Sequence, residues 1–115
     1  MQYDWTKIAE KPAENKNLIA NNTVAKLTVK GNVYFLANRN GHYFAGDNRC
    51  PHAGAALHTG WLNEKGEIVC PFHRFCFDLE NGRSKEGFCV ATYPIEIRTD
   101  GVYMGLPKKK WYEFW

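Results

Sequence analysis

The sequence of 115 residues has no long apolar run and no helical periodicity. No window approaches about 18 consecutive apolar residues, the length that a membrane-spanning helix requires. No segment repeats a 3.6-residue apolar period over three turns, although residues 15–21 and 53–58 could each supply one turn of helix. We therefore expect neither a membrane protein nor a helical bundle.

The sequence also lacks a large excess of positive or negative charge. The formal net charge is +3, from 15 basic and 12 acidic residues. A nucleic-acid-binding surface needs a clustered basic face, and the only basic run is the three lysines at 108–110. We therefore expect no nucleic acid among the partners.

The first five residues lack the basic stretch and apolar run of a secretory signal, which favours a cytoplasmic protein. The cytoplasm keeps thiols reduced, so the four cysteines are expected to be metal ligands or small buried residues and not disulfide partners. The chain length fits a single domain, residues 1–115. A hydrophobic fraction of 44% is enough for a packed core.

Turn signals recur at short intervals along the chain, each with a glycine: residues 30–32, 38–41, 64–66, 80–82 and 99–101. Between them lie short segments rich in β-branched and aromatic residues, a pattern that predicts strands. The predicted strands are residues 24–29, 33–37, 42–44, 67–70, 75–79, 95–98 and 102–105. The fold class is therefore expected to be all-β.

Two segments, at about residues 47–57 and 70–77, concentrate Cys, His, Pro and Gly, which indicates two functional loops on a sheet scaffold. The first contains Cys50 and His52 in a C-x-H pattern, and the second contains Cys70 and His73 in a C-x-x-H pattern. Seventeen residues, 53–69, separate the two pairs, so a hairpin could bring the loops face to face. We expect these four side chains to bind metal.

Two kinds of centre use two cysteines and two histidines. A Rieske centre has two thiolates on one iron and two imidazoles on the other, and each loop here supplies one ligand of each kind. A structural zinc site uses the same ligand set, but a single residue between Cys50 and His52 is cramped for two ligands of one tetrahedral ion. The spacing favours iron–sulfur and leaves a zinc-stabilised interaction module as the alternative.

Residues 50–55 and 70–73, with the turn at 77–82 that follows, resemble the two cluster loops and downstream turn of the Rieske ferredoxin family. The resemblance extends over about residues 5–106. It implies a Rieske-like iron–sulfur fold of about three antiparallel sheets with a small cluster-binding subdomain. It also implies one 2Fe-2S cluster per chain, with Cys50, His52, Cys70 and His73 as ligands and the histidines binding through Nδ1.

The sequence departs from the family pattern in two places. Arg74 stands where relatives commonly have glycine, and Cys76 adds a thiol close to the second loop. We interpret the cysteines and histidines outside the two ligand pairs as structural: Cys76, Cys89, His42 and His58.

The resemblance also favours a low-potential, freely diffusing protein. Relatives in respiratory complexes place hydroxyl groups where this chain has Phe75 and Phe77, and they form a disulfide where it has Ala55 and Phe72. Phenylalanine cannot donate a hydrogen bond to the cluster, and neither Ala55 nor Phe72 can form that disulfide. No membrane tether is expected before the domain.

Carriers of this type pass electrons from a flavin reductase to a Rieske-type oxygenase, which makes the chain an electron-transfer component and not a catalyst by itself. A second assignment is the small subunit of an NAD(P)H nitrite reductase-like enzyme, which shares the fold but in many members lacks the ligands. The aromatic C-terminal tail, residues 107–115, is expected to pack over the sheets or to form an exposed docking patch.

Overall fold

The computed structural model describes residues 3–14, 16–52, 54–72 and 74–108. Within these ranges the regular secondary structure consists of β-strands and one short 3₁₀ helix at Leu57–Thr59. The strands are β1 (Tyr3–Ala9), β2 (Thr23–Val29), β3 (Asn32–Arg39), β4 (His42–Asp47), β5 (Trp61–Leu62), β6 (Glu67–Val69), β7 (Cys76–Asp78), β8 (Thr92–Tyr93), β9 (Ile95–Arg98) and β10 (Gly101–Pro107). The predicted all-β class is confirmed.

The strands form three antiparallel sheets, as predicted. Sheet one has the order β1-β10-β9, sheet two the order β2-β3-β4-β8, and sheet three the order β5-β6-β7. Sheet one joins the two ends of the described chain, because Tyr3 of β1 pairs with Pro107 of β10. Sheet three carries the second cysteine loop between β6 and β7. No helix in the described ranges is long and apolar enough to cross a membrane.

Two tight hairpins explain how sheet two follows from the sequence. The β2–β3 connection is Lys30-Gly31, with φ of 51° and 83°, and the β3–β4 connection is Asn40-Gly41, with φ of 53° and 85°. Positive φ at both central residues defines the type I′ turn, whose twist matches that of the flanking strands. The turn residues therefore fix the register of the three longest strands of this sheet.

β3 is buried on both faces because it lies between two cores. Phe35 and Ala37 enter a core between sheet two and sheet three, which also contains Cys50 and Cys70. Tyr34 enters a second core, between sheet two and sheet one, which contains Met104. Alternate side chains of a strand point to opposite faces, so one central strand contributes to both cores. Cys50 and Cys70 thus belong only to the core between sheet two and sheet three.

The helical predictions were only partly right. The first, at residues 15–21, is wrong for residues 16–21, which contain bends and a turn but no helix. The second, at residues 53–58, overlaps the 3₁₀ helix Leu57–Thr59. Most of the C-terminal tail, residues 109–115, lies outside the described residues, so the expectation for its packing stays a prediction.

Candidate metal centre

Both cysteine loops close with the same backbone hydrogen bond. In loop one, residues 50–55, the Cys50 N–H donates to the Ala55 carbonyl at 2.8 Å. In loop two, residues 70–75, the Cys70 N–H donates to the Phe75 carbonyl at 2.8 Å. The same hydrogen bond therefore fixes the backbone amide of the cysteine in each loop.

The two cysteine side chains are buried together. Cys50 is 1% exposed and Cys70 is 0% exposed. Burial raises the pKa of the Cys70 thiol, and a hydrogen bond with the Cys50 thiol raises it further, whereas a hydrogen bond from the Phe72 backbone lowers it. A metal ion would reverse this balance, because a coordinating thiol is deprotonated outright. The pair therefore has the chemistry of two thiolate ligands meeting from two loops.

His52 lies on the exposed side of loop one, and its ring packs against two phenylalanines. The His52 and Phe75 rings are stacked, with centroids 4.2 Å apart and planes inclined by 21°. The Phe88 ring meets the His52 ring edge-on, with centroids 5.3 Å apart. An aromatic surface thus holds this imidazole on the exposed side of loop one.

The fourth predicted ligand, His73, lies outside the described residues. Across residues 3–14, 16–52, 54–72 and 74–108, no three His, Cys, Asp or Glu side chains are grouped closely enough to hold one metal ion. Cys50 and Cys70, which lie in the same buried core, are thus the part of the predicted ligand set that the structure brings together. The complete ligand set stays a prediction.

Asn48 and His58 close the base of loop one. The Asn48 Oδ1 accepts a hydrogen bond from the His58 backbone N–H at 2.8 Å, and the Asn48 Nδ2 lies 2.7 Å from His58 Nδ1. The Leu57 N–H also donates to the Asn48 carbonyl at 3.0 Å. These contacts tie the 3₁₀ helix to the strand end before Cys50, in keeping with the structural role expected for His58.

Cys76 lies one residue beyond loop two, beside a cavity of about 370 Å³ lined mainly by charged and polar side chains. Its thiol donates to the Arg74 carbonyl at 3.5 Å and accepts from Asn63 Nδ2 at 3.8 Å. Burial raises the pKa of Cys76, and Glu67 raises it further. The Cys76 thiol is thus engaged by neighbouring protein groups, and its structural role stays a prediction.

Two features of the site were not predicted. Phe75 was noted only as a residue without a hydroxyl, and Phe88 was not singled out, yet both pack on His52. No local signal could reveal this, because Phe88 is far from His52 in sequence and no periodicity relates them. The contact depends on how three loops meet.

Comparison with known proteins gives a consistent result. Residues 9–96 match the family model described as the Rieske [2Fe-2S] domain. The 3-phenylpropionate/cinnamic acid dioxygenase ferredoxin subunit of Escherichia coli (strain K12) is 28% identical over 82 residues, which cover 66% of this chain and 74% of that protein. Both cysteine loops lie within residues 9–96, which the family model matches.

Two solved structures share the fold. The ferredoxin of carbazole 1,9a-dioxygenase from Nocardioides aromaticivorans IC177 has a TM-score of 0.74 and 21% identity, covering 90% of this chain and 98% of that one. A protein assigned as an NADH-dependent nitrite reductase small subunit from Mycobacterium tuberculosis has a TM-score of 0.78 and 17% identity, covering 93% and 98%. The fold alone therefore does not separate the two assignments.

Proposed function

This chain belongs to the Rieske [2Fe-2S] domain family, and we propose that it is a ferredoxin-type electron carrier with Cys50, His52, Cys70 and His73 as cluster ligands. Proteins of this family bind one 2Fe-2S cluster. The observation that supports the ligand assignment is the burial of both cysteines in one core, at the leading positions of two matching loops. We also propose that residues 1–115 form one domain.

The residues of the two loops would have different roles in an electron carrier. The cluster supplies the one-electron chemistry when it is bound. The Cys50 and Cys70 thiols lie inside the core and would hold it on its protein side. His52 lies on the exposed side of loop one, and Phe72 of loop two is 59% exposed. Electrons would therefore enter and leave at this tip, where a partner can approach closely.

The proposed partners are a flavin reductase as electron donor and an oxygenase as acceptor. Support comes from the relatives, which are named as ferredoxins of dioxygenases acting on 3-phenylpropionate and on carbazole. An exposed apolar side chain beside the proposed exit, Phe72, fits a transient protein interface, whose core favours aromatic residues. We place the carrier in the cytoplasm, because none of the four cysteines forms a disulfide and a reducing compartment keeps cysteines in that state.

The alternative is the small subunit of a nitrite reductase-like enzyme, favoured by the fold similarity to the Mycobacterium tuberculosis protein. The retained set of four ligand-type residues supports the carrier instead. A subunit needs a stable catalytic partner, whereas a carrier needs only transient encounters. The two functions therefore differ in what reoxidises the protein.

Stopped-flow mixing of the cluster-loaded, reduced protein with an oxidised dioxygenase of the 3-phenylpropionate type tests the proposal. We expect oxidation of the carrier and matching reduction of the dioxygenase. Phe72→Ala should slow this transfer about tenfold if the aromatic tip is part of the interface. Ile97→Ala is the matched control, because Ile97 is 47% exposed but lies on β9 of sheet one. Transfer only to a nitrite reductase catalytic subunit would support the alternative.

A further inference from the structure

Three aromatic rings from three different segments meet at the edge of the candidate metal centre. His52 of loop one stacks on Phe75 of loop two with centroids 4.2 Å apart, and Phe88 touches both, at 5.3 Å from His52 and 5.6 Å from Phe75. Each ring therefore contacts the other two. The imidazole of the predicted ligand is held by side chains that cannot bind metal themselves.

Both phenylalanines are fixed by their own backbone. The Phe75 carbonyl accepts the hydrogen bond from the Cys70 N–H that closes loop two. Phe88 belongs to a tight turn in which its N–H donates to the Ser84 hydroxyl at 3.1 Å and its carbonyl accepts from the Ser84 N–H at 2.9 Å. Both side chains are half-buried against the core that contains Cys50 and Cys70. The rings are thus anchored to the same core as the thiols.

We propose that Phe75 and Phe88 form an aromatic clamp that orients the His52 imidazole and keeps water from one of its faces. The inference rests on the proposed function, in which His52 is a cluster ligand. The two phenylalanines are positioning residues, because they act through His52. Residues outside the ligand shell commonly orient metal-binding histidines through hydrogen bonds, and the apolar shell around a site controls solvent access.

The clamp has two consequences that can be measured. An aromatic pair contributes beyond simple burial by about 2- to 12-fold in an equilibrium constant, so losing the ring should speed cluster loss by a factor in that range. A two-thiolate, two-imidazole centre gains one negative charge on reduction, and an apolar cover disfavours the more charged state. Removing a ring should therefore also raise the midpoint potential.

The test uses Phe75→Leu and Phe88→Leu, which keep an apolar side chain but remove the flat ring. Phe88→Tyr retains the ring as a rescue variant. Phe44→Leu is the matched control, because Phe44 of β4 packs against the same core. Circular dichroism checks folding, and if Phe75→Leu does not fold, Phe88→Leu carries the same test from the turn.

Three measurements are made on the cluster-loaded proteins: ¹⁴N hyperfine couplings of the reduced state by pulsed EPR, the midpoint potential, and the rate of loss of visible absorbance. We expect both leucine variants to alter the coupling of one histidine nitrogen, to raise the potential and to lose the cluster about 2- to 12-fold faster. Phe88→Tyr and Phe44→Leu should match the wild type.

Leucine variants with wild-type couplings and potential would overturn the clamp while leaving the carrier function intact. An unchanged coupling accompanied by faster loss in Phe44→Leu as well would also overturn it, because the effect would then be one of core packing. A wild-type protein that holds no iron and sulfide would overturn the proposed function and the clamp together.

Discussion

Loop one and loop two share one backbone design but differ in the side chains attached to it. In each, the cysteine N–H donates to the carbonyl five residues ahead, and the residue before that carbonyl has positive φ, 71° at Gly54 and 54° at Arg74. Loop one ends in the small Ala55, whereas loop two ends in Phe75, which packs on His52. The shared backbone sets the cysteine positions, and the side chains adjust the surroundings.

The bases of the loops differ as well. Loop one follows β4 and is held by Asn48 and His58, whereas loop two is the connection between the paired strands β6 and β7. Loop two is thus positioned by a pair of strands. The base of loop one has only an isolated bridge between Arg49 and Ala56, to which the Asn48–His58 side-chain contacts are added. We infer that loop one is the more easily disturbed of the two.

The largest expected effect is loss of the cluster, which would show that both loops are needed to bind it. Changing any one of Cys50, His52, Cys70 or His73 to Ala should abolish the cluster, because each iron would lose one of its two protein ligands. The check is an assay of iron and acid-labile sulfide. Cys76→Ser and Cys89→Ser are the controls and should retain both. Complete loss of sulfide in Cys76→Ser would mean that the ligand assignment is wrong.

Asn48→Ala should show the difference between the two loops, because it disturbs the base of loop one alone. The change removes both side-chain contacts to His58 and leaves half-buried polar groups without partners, at a cost of about 1–3 kcal/mol. Thermal unfolding followed by circular dichroism should show a Tm lower by roughly 4–15 °C. Asn81→Ala, which removes one exposed turn contact to the Arg83 N–H, should cost much less. Equal losses in the two variants would contradict a special dependence of loop one on Asn48.

Gly54 and Arg74 both have positive φ, and replacing them should change the free energy of unfolding in opposite directions. A residue other than glycine costs about 1–2 kcal/mol in this backbone region, partly offset by the greater freedom that glycine has in the unfolded chain. Gly54→Ala should therefore destabilise, and Arg74→Gly should stabilise, each by about 0.5–1 kcal/mol. A Cβ at Gly54 would meet nothing closer than 3.5 Å, so the cost there is one of backbone conformation.

Denaturant titration measures both variants, and Arg74→Ala serves as the control, since it removes the guanidinium but keeps the unfavourable φ. If Arg74→Ala stabilised the protein as much as Arg74→Gly, the charge of Arg74 and not its backbone would be responsible.

Phe77 lies in β7, just beyond loop two, and Phe77→Tyr should raise the midpoint potential of the cluster by adding a hydroxyl on that side only. Phe77 is 0% exposed and lies in the same core as Cys50 and Cys70. A new hydroxyl that reaches a cysteine sulfur would stabilise the reduced cluster by about 0.5–1.5 kcal/mol, which corresponds to roughly 20–65 mV upward for one electron. Voltammetry of the two proteins checks this. A lower potential in Phe77→Tyr would show that no hydrogen bond to the cluster forms.

Local chemistry explains which parts of this structure could be predicted. The turns at Lys30-Gly31 and Asn40-Gly41 need positive φ, and their residue types favour it, so three strands of sheet two, β2, β3 and β4, could be predicted from the sequence. The pairing of Tyr3 with Pro107 joins distant parts of the chain, and β1 was missed because no turn residue marks it. Short strands such as β5 and β8, of two residues each, lack a pattern altogether.

The same distinction applies to the site. The two Cys–His pairs are local in sequence, so their spacing predicted the loops, and the structure places Cys50 and Cys70 in one core. The stacking of Phe75 and Phe88 on His52 depends on three loops converging, which spacing does not encode. Asn48 and His58, which close loop one, are also linked only by the folded chain.

The central claim is that the two loops together hold a low-potential electron-transfer cluster, and voltammetry of the wild-type protein at pH 7 tests it most directly. With no hydroxyl at Phe75 or Phe77 to stabilise the reduced state, we expect one reversible one-electron wave in the lower part of the Rieske range, at about −150 to 0 mV. A midpoint above roughly +150 mV would contradict the low-potential assignment. The absence of any wave from a colourless, zinc-containing protein would contradict the electron-carrier function itself.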